Sequence, residues 1–158
     1  MTRLLLLMLA VASLPVHAAV VLSVGAGKGA LDNQPFERVA AIGYVVPFGA
    51  GFGIRPEVGG FFDYAPGHQS SFFLAAPLEF RARASDGLFA SLAFGSGWLM
   101  RPDEVLGGPF QFRFELAAGI FPVKSVGVGV CWGHLSSGWV YPVNHGRDWL
   151  MVQGMIPF

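Results

Sequence analysis

The chain has 158 residues, and its ten basic and ten acidic residues cancel, which excludes the basic stripe of a nucleic-acid binder. Charged residues make up only 13% and hydrophobic ones 53%, more apolar material than a small soluble domain readily encloses. Beyond the N-terminal segment no run of about 20 apolar residues occurs, so no transmembrane helix is expected and a transmembrane β-barrel is the leading class.

Residues 1–18 read as a secretory signal. Arg3 supplies a basic start, Leu4 to Leu14 an apolar run, and Val16-His17-Ala18 a small-x-small cleavage site. Cleavage after Ala18 leaves residues 19–158 as a single domain. The only cysteine, Cys131, allows neither an internal disulfide nor a CxxC metal site, and is expected to pack in the lumen.

Period-two alternation then marks eight segments, near 19–30, 36–47, 53–64, 70–84, 87–97, 110–121, 125–136 and 147–158. In the third, Ile54, Val58, Phe62 and Tyr64 oppose Arg55, Glu57, Gly59 and Asp63. In the fourth, Phe72, Leu74, Ala76, Leu78 and Phe80 oppose Ala75, Glu79, Arg81 and Arg83. In the sixth, Phe110, Phe112, Phe114, Leu116, Ala118 and Ile120 oppose Gln111, Arg113, Glu115, Ala117 and Gly119. The first, second and fifth segments alternate less clearly, because one side carries mostly Gly, Ala, Val and Ser.

The expected fold is therefore all-β, an eight-stranded antiparallel outer-membrane barrel. A barrel of this size has room inside only for side chains. The inner charges Arg55, Arg81, Arg83, Arg113, Glu57, Asp63, Glu79 and Glu115 thus read as a neutral paired plug, not a pore lining. An even strand number puts both chain ends on the periplasmic side. Compact turns are expected at 47–53, 85–87 and 122–125, and longer outer loops at 97–109 and 137–147. The alternation Leu150, Val152, Gly154, Ile156, Phe158 resembles the C-terminal signal read by the barrel-assembly machinery, an expected partner.

The seventh and eighth segments carry chemistry. Val126, Val128, Val130, Trp132, His134 and Ser136 share the lipid side of one, and Asp148, Leu150, Val152, Ile156 and Phe158 that of the other. A hairpin brings Asp148 opposite or diagonal to His134, about 5 to 8 Å between Cβ atoms. Polar groups on a lipid face need a reason, and Ser136 as nucleophile, His134 as base and Asp148 as orienting acid supply one. Asn144 and backbone N–H groups near Ser137 and Gly138 are candidates to stabilise the oxyanion. Trp132, Trp139 and Trp149 read as interfacial anchors. Arg147, beside the cluster, and Trp139 are candidates for substrate contact.

This hairpin resembles the active-site hairpin of the outer-membrane lipid A 3-O-deacylase family. Its His-x-Ser pair, the Asn ten after the His and the acid fourteen after it fall on His134, Ser136, Asn144 and Asp148. The resemblance covers about 25 residues, with a compatible strand layout over the rest. It departs where the family favours Glu, here Asp148, and where Asn follows the Ser, here Ser137. It implies an esterase that removes the 3-O-linked acyl chain of lipid A with no metal or other cofactor. The implied partners are lipid A within lipopolysaccharide and the outer-membrane lipids, with a homodimer left open and nucleic acid not involved. The alternative is a small structural or adhesive barrel without catalysis. A soluble lipocalin-like binder fits less well, because its calyx would be apolar inside.

Overall fold

A computed structural model describes residues 17–29, 36–49, 51–63, 70–84, 86–101 and 106–158. The signal expected over residues 1–18 lies almost wholly outside these.

Ten strands follow in chain order: β1 Ala19–Gly29, β2 Glu37–Gly49, β3 Phe52–Ile54, β4 Glu57–Asp63, β5 Ser71–Ala75, β6 Leu78–Arg83, β7 Leu88–Leu99, β8 Phe110–Val123, β9 Val126–Ser136 and β10 Arg147–Pro157. All pairings are antiparallel, and β1 pairs with both β2 and β10, which closes the sheet. The ring nevertheless has eight walls. The third and fourth segments are each split by a proline, Pro56 between β3 and β4 and Pro77 between β5 and β6. Proline has no N–H to donate to a ladder. The ladder is carried across by the Tyr44 N–H donating to the Pro56 carbonyl at 3.0 Å and the Arg55 N–H donating to the Pro77 carbonyl at 2.9 Å. Register survives both breaks: Ile54↔Leu78 and Glu57↔Ala75 belong to one alignment, as do Ala75↔Gly97 and Leu78↔Phe94.

The alternation expected from the sequence sorts the side chains. Leu74, Leu78, Leu92, Phe94, Leu116, Val130, Leu150 and Val152 are exposed on the outer face, forming an apolar belt. In water such a belt would be an aggregation surface; in a bilayer it is solvated by lipid. Short turns join β2 to β3, β6 to β7 and β8 to β9, at the end where Ala19 pairs with Pro157. The loops from β7 to β8 and from β9 to β10 are longer and lie at the other end, called here the loop end.

The lumen is packed in two ways. Apolar side chains cluster around Phe61, Phe73, Leu99, Cys131, Trp149 and Met151, and around Val21, Val45, Phe89 and Met155. Against the first cluster sits an ion network. Arg55 bonds Glu57 at 3.2 Å, Glu79 at 3.0 Å and Glu115, Arg113 bonds Glu57 at 2.5 Å and Glu115, and Arg81 bonds Glu79. All six are buried. The guanidinium of Arg113 also lies over the rings of Phe73 and Trp149.

The plug differs from the expectation in its membership. Arg83 stands apart, its guanidinium 3.9 Å from the ring centre of Phe121, and the side chain of Asp63 lies outside the described residues. A second lumen pair, Arg147 with Glu37 at 3.1 Å, joins β10 to β2. Trp149, expected as an interfacial anchor, is also inside. Its ring lies over Gly133, where a Cβ would come within 2.1 Å of it, so the glycine makes the room.

Removing one partner from a buried ion network leaves the others uncompensated and costs about 3–5 kcal/mol. Glu115→Ala is therefore expected to lower the temperature at which the detergent-solubilised barrel loses its heat-modifiable gel mobility. Arg83→Ala, outside the network, should shift it far less. Equal midpoints for Glu115→Ala and the parent chain would show that the network does not carry the barrel's stability.

Candidate active site

His134 and Asp148 are direct cross-strand partners in the β9–β10 ladder. Both project outward, and His134 Nδ1 lies 2.9 Å from Asp148 Oδ1. Their side chains are 37% and 53% exposed, so the pair sits at the surface near the loop end. An ionised carboxylate only accepts, so this contact places the ring proton on Nδ1 and leaves Nε2 as the basic nitrogen.

Direct opposition explains how an aspartate reaches the imidazole. The sequence left open whether Asp148 stood opposite or diagonal to His134. In the opposite position the shorter carboxylate reaches Nδ1 without a register adjustment. The imidazole is further held by stacking on Trp132, ring centres 6.5 Å apart, and Trp132 meets Phe114 edge-on.

Ser136 follows His134 by two residues on β9 and faces the same side, with Phe112 of β8 opposite it. Continuing the β9–β10 alignment beyond Arg147↔Leu135 puts Gly146 across from Ser136. A Cβ on Gly146 would lie 2.8 Å from His134 Cε1 and 3.3 Å from Nε2. The Cε1–Nε2 edge of the ring thus faces Gly146, the residue level with Ser136 in the extended register. Gly146 has φ +74°, a backbone state that suits glycine. Ser136 Oγ and His134 are not directly hydrogen-bonded; catalytic hydrogen bonds commonly tighten only with substrate in place.

The β9–β10 loop is tied down. The Ser137 N–H donates to Asn144 Oδ1 at 2.7 Å, and the Val140 N–H to the Ser137 carbonyl at 3.0 Å. Tyr141 Oη accepts the Phe110 N–H at 3.0 Å, and its ring covers Gly108 of the β7–β8 loop. Of the sequence-derived oxyanion donors, the Ser137 N–H is therefore already committed, and Ser137 itself is fully buried. The Asn144 amide nitrogen and the Gly138 N–H are the donors that remain, with Gly138 in the turn at φ +57°. Trp139 follows, also with positive φ, and is highly exposed.

Arg147 is the correction at this site. It is 1% exposed and bound to Glu37 inside the lumen, with its guanidinium over Phe61, so it does not face the rim where substrate would lie. Its neighbour Asp148 points outward, and strand alternation turns Arg147 in. Two outward cations that sequence reasoning missed, Lys28 on β1 and Arg38 on β2, lie beside the site. Lys28 is the direct partner of Asp148. The parity that exposes them was masked by the small residues of the first two segments. Among the described residues, no group of His, Cys, Asp and Glu has the arrangement of a metal site.

No family model and no curated protein matches the chain. Solved structures do. The chain aligns with the outer membrane enzyme PagL at TM-score 0.65 and 17% identity, over 89% of this chain and 99% of that one. The fold is that of a small outer-membrane β-barrel. A de novo designed transmembrane β-barrel aligns at TM-score 0.65 and 12% identity, over 91% and 97% of the two chains. Neisserial surface protein A (NspA) aligns at 0.60 and 12%, over 90% and 96%. An enzyme, a designed barrel and a surface protein share this architecture, so the chemistry has to be argued from the residues.

Gly146→Ala is expected to push the His134 ring off Asp148 while the barrel stays closed. Nitrogen NMR of the His134 imidazole in micelles checks this: the Nδ1-protonated signal of the parent should be lost or averaged in the variant. An unchanged signal would mean the ring is not held by this packing.

Proposed function

We propose that this barrel is an outer-membrane esterase that hydrolyses the 3-O-linked acyl chain of lipid A, with Ser136, His134 and Asp148 as its catalytic residues. The observation that carries the reading is the 2.9 Å His134–Asp148 pair on the outer face. The pair orients an imidazole on the outer face, and a serine stands two residues on along the same face. The PagL-like fold supports the reading, and position 3 of the sugar rests on the resemblance of the hairpin to the deacylase family.

In this mechanism the Ser136 hydroxyl attacks the ester carbonyl as its proton passes to His134 Nε2. Asp148 accepts the Nδ1–H and stabilises the imidazolium that forms. The tetrahedral oxygen gains its negative charge near the Asn144 amide and the Gly138 N–H. Collapse breaks the ester C–O bond, and the imidazolium returns the proton to the departing sugar 3-oxygen. Water, activated by the same imidazole, then cleaves the acyl–Ser136 ester and releases the fatty acid. No redox or metal step is needed.

Lipid A from outer membranes of cells expressing the chain should lose one hydroxyacyl group by mass spectrometry, and Ser136→Ala should abolish the loss. His134→Ala should slow it by about 10²–10⁴-fold. Asp148→Asn should slow it as well, with gel mobility unchanged. Loss that persists in Ser136→Ala would assign a different nucleophile. No loss with the parent chain, folded in the membrane, would favour a structural or adhesive barrel.

A further inference from the structure

The outward-facing charges on the strands are confined to one sector of the barrel. Among the described strand residues, the side chains of charged type on the outer face are Lys28, Arg38 and Asp148, together with His134. They lie on β1, β2, β10 and β9, four walls adjacent in the ring. Register orders them at the loop end. His134 is opposite Asp148, Asp148 opposite Lys28, and Arg38 opposite Ala26, two residues before Lys28. Lys28 and Arg38 are therefore diagonal neighbours, about 7–8 Å apart.

The strands of the other walls present aromatic side chains at this end, with the exposed Arg101 just beyond β7. At the same end β4 presents Phe62, β5 Phe72, β7 Trp98 and β8 Phe110 and Phe112. Aromatic side chains are the usual interfacial residues of a barrel, and cations spread round the rim would be read the same way. Among the described strand residues, both outward cations stand in this sector, beside the outward carboxylate of Asp148.

We infer that Lys28 and Arg38 form a binding site for the phosphorylated headgroup of an outer-leaflet glycolipid. Arginine's planar fork matches two phosphate oxygens, and lysine adds a point charge. Both stand near the interface, where a lipid phosphate lies and where an outward charge is tolerated. The inference deepens the proposed esterase reading and rests on it for the identity of the lipid. A phosphate held over β1 and β2 places the sugar across the β10–β9 seam. The acyl chain then runs over Phe112, Phe114 and Trp132, the aromatic side of His134. The site sets orientation and affinity, and takes no part in the bond-breaking step.

Binding tests the site apart from catalysis. The detergent-solubilised barrel, carrying Ser136→Ala so that lipid is not consumed, is titrated by native mass spectrometry with bisphosphorylated lipid A and with the same lipid dephosphorylated. The parent surface should prefer the phosphorylated lipid by about tenfold or more, as expected for charge-assisted contacts. Arg38→Gln should reduce that preference, and Lys28→Gln with Arg38→Gln should remove it. Binding of the dephosphorylated lipid should stay unchanged. In the otherwise unaltered chain, Arg38→Gln should raise KM and leave kcat as it was.

A preference that survives the double substitution, or is missing from the parent surface, would overturn the site. Displacement by inorganic phosphate at concentrations matching the lipid would overturn the glycolipid as its occupant. Failure of the esterase reading shows separately, as a retained headgroup preference with no acyl chain lost in cells.

Discussion

Strands can cross hydrocarbon only if every backbone donor and acceptor is satisfied within the sheet, and the solution is a sheet closed on itself. Here the closing seam is β1 against β10, aligned from Ala19↔Pro157 to Gly29↔Arg147. That seam fixes the stagger of β10, and the ladder from β10 to β9 then sets Asp148 opposite His134. A slip of one residue would turn Asp148 into the lumen and Arg147 out to the lipid. The site's central contact is thus a consequence of barrel closure, held by two ladders and not by a loop.

Charge is used in two environments with opposite requirements. Inside, away from water, charge has to be balanced locally, and Arg55, Arg81 and Arg113 balance Glu57, Glu79 and Glu115 by sharing partners across β4, β6 and β8. Walls that are not neighbours in the ring are tied through the lumen. Arg147 and Glu37 add a similar tie between β10 and β2. This tie bears on the site as well. By holding Arg147 inward it fixes the parity that points Asp148 outward.

The fold was legible because period two survives in most segments, and a clear apolar face beside a charged one leaves little choice of orientation. Outward His134, Ser136 and Asp148 follow from that parity alone. The proline breaks were not legible, since a strand interrupted at Pro56 or Pro77 keeps its alternation while losing a donor. Arg147 was misread for a different reason: its position in sequence suggested a rim residue, although its own parity pointed inward. Lys28 and Arg38 escaped notice because Gly25, Gly27, Ala40 and Ala41 flatten the pattern around them. The use of the Ser137 N–H by Asn144 depends on the loop's path, which no periodicity encodes.

The position of the pair along the strands also suits hydrolysis at a membrane surface. An ester carbonyl of an outer-leaflet lipid lies at the interface, below the headgroup and above the hydrocarbon. Groups deeper on the barrel would meet only methylenes, and groups on a loop tip would meet only water. His134 and Asp148 stand one level inside the last pair of the β9–β10 ladder, Arg147↔Leu135, and are partly exposed. One side of the pair borders the aromatic face of Phe114 and Trp132. Low polarity there strengthens the Nδ1–H···Oδ1 contact, while the exposed side is open to the water that the deacylating step of the proposed esterase would consume. A strand end at the interface meets both needs with residues already fixed by the ladder, so His134 and Asp148 require no closing lid to meet.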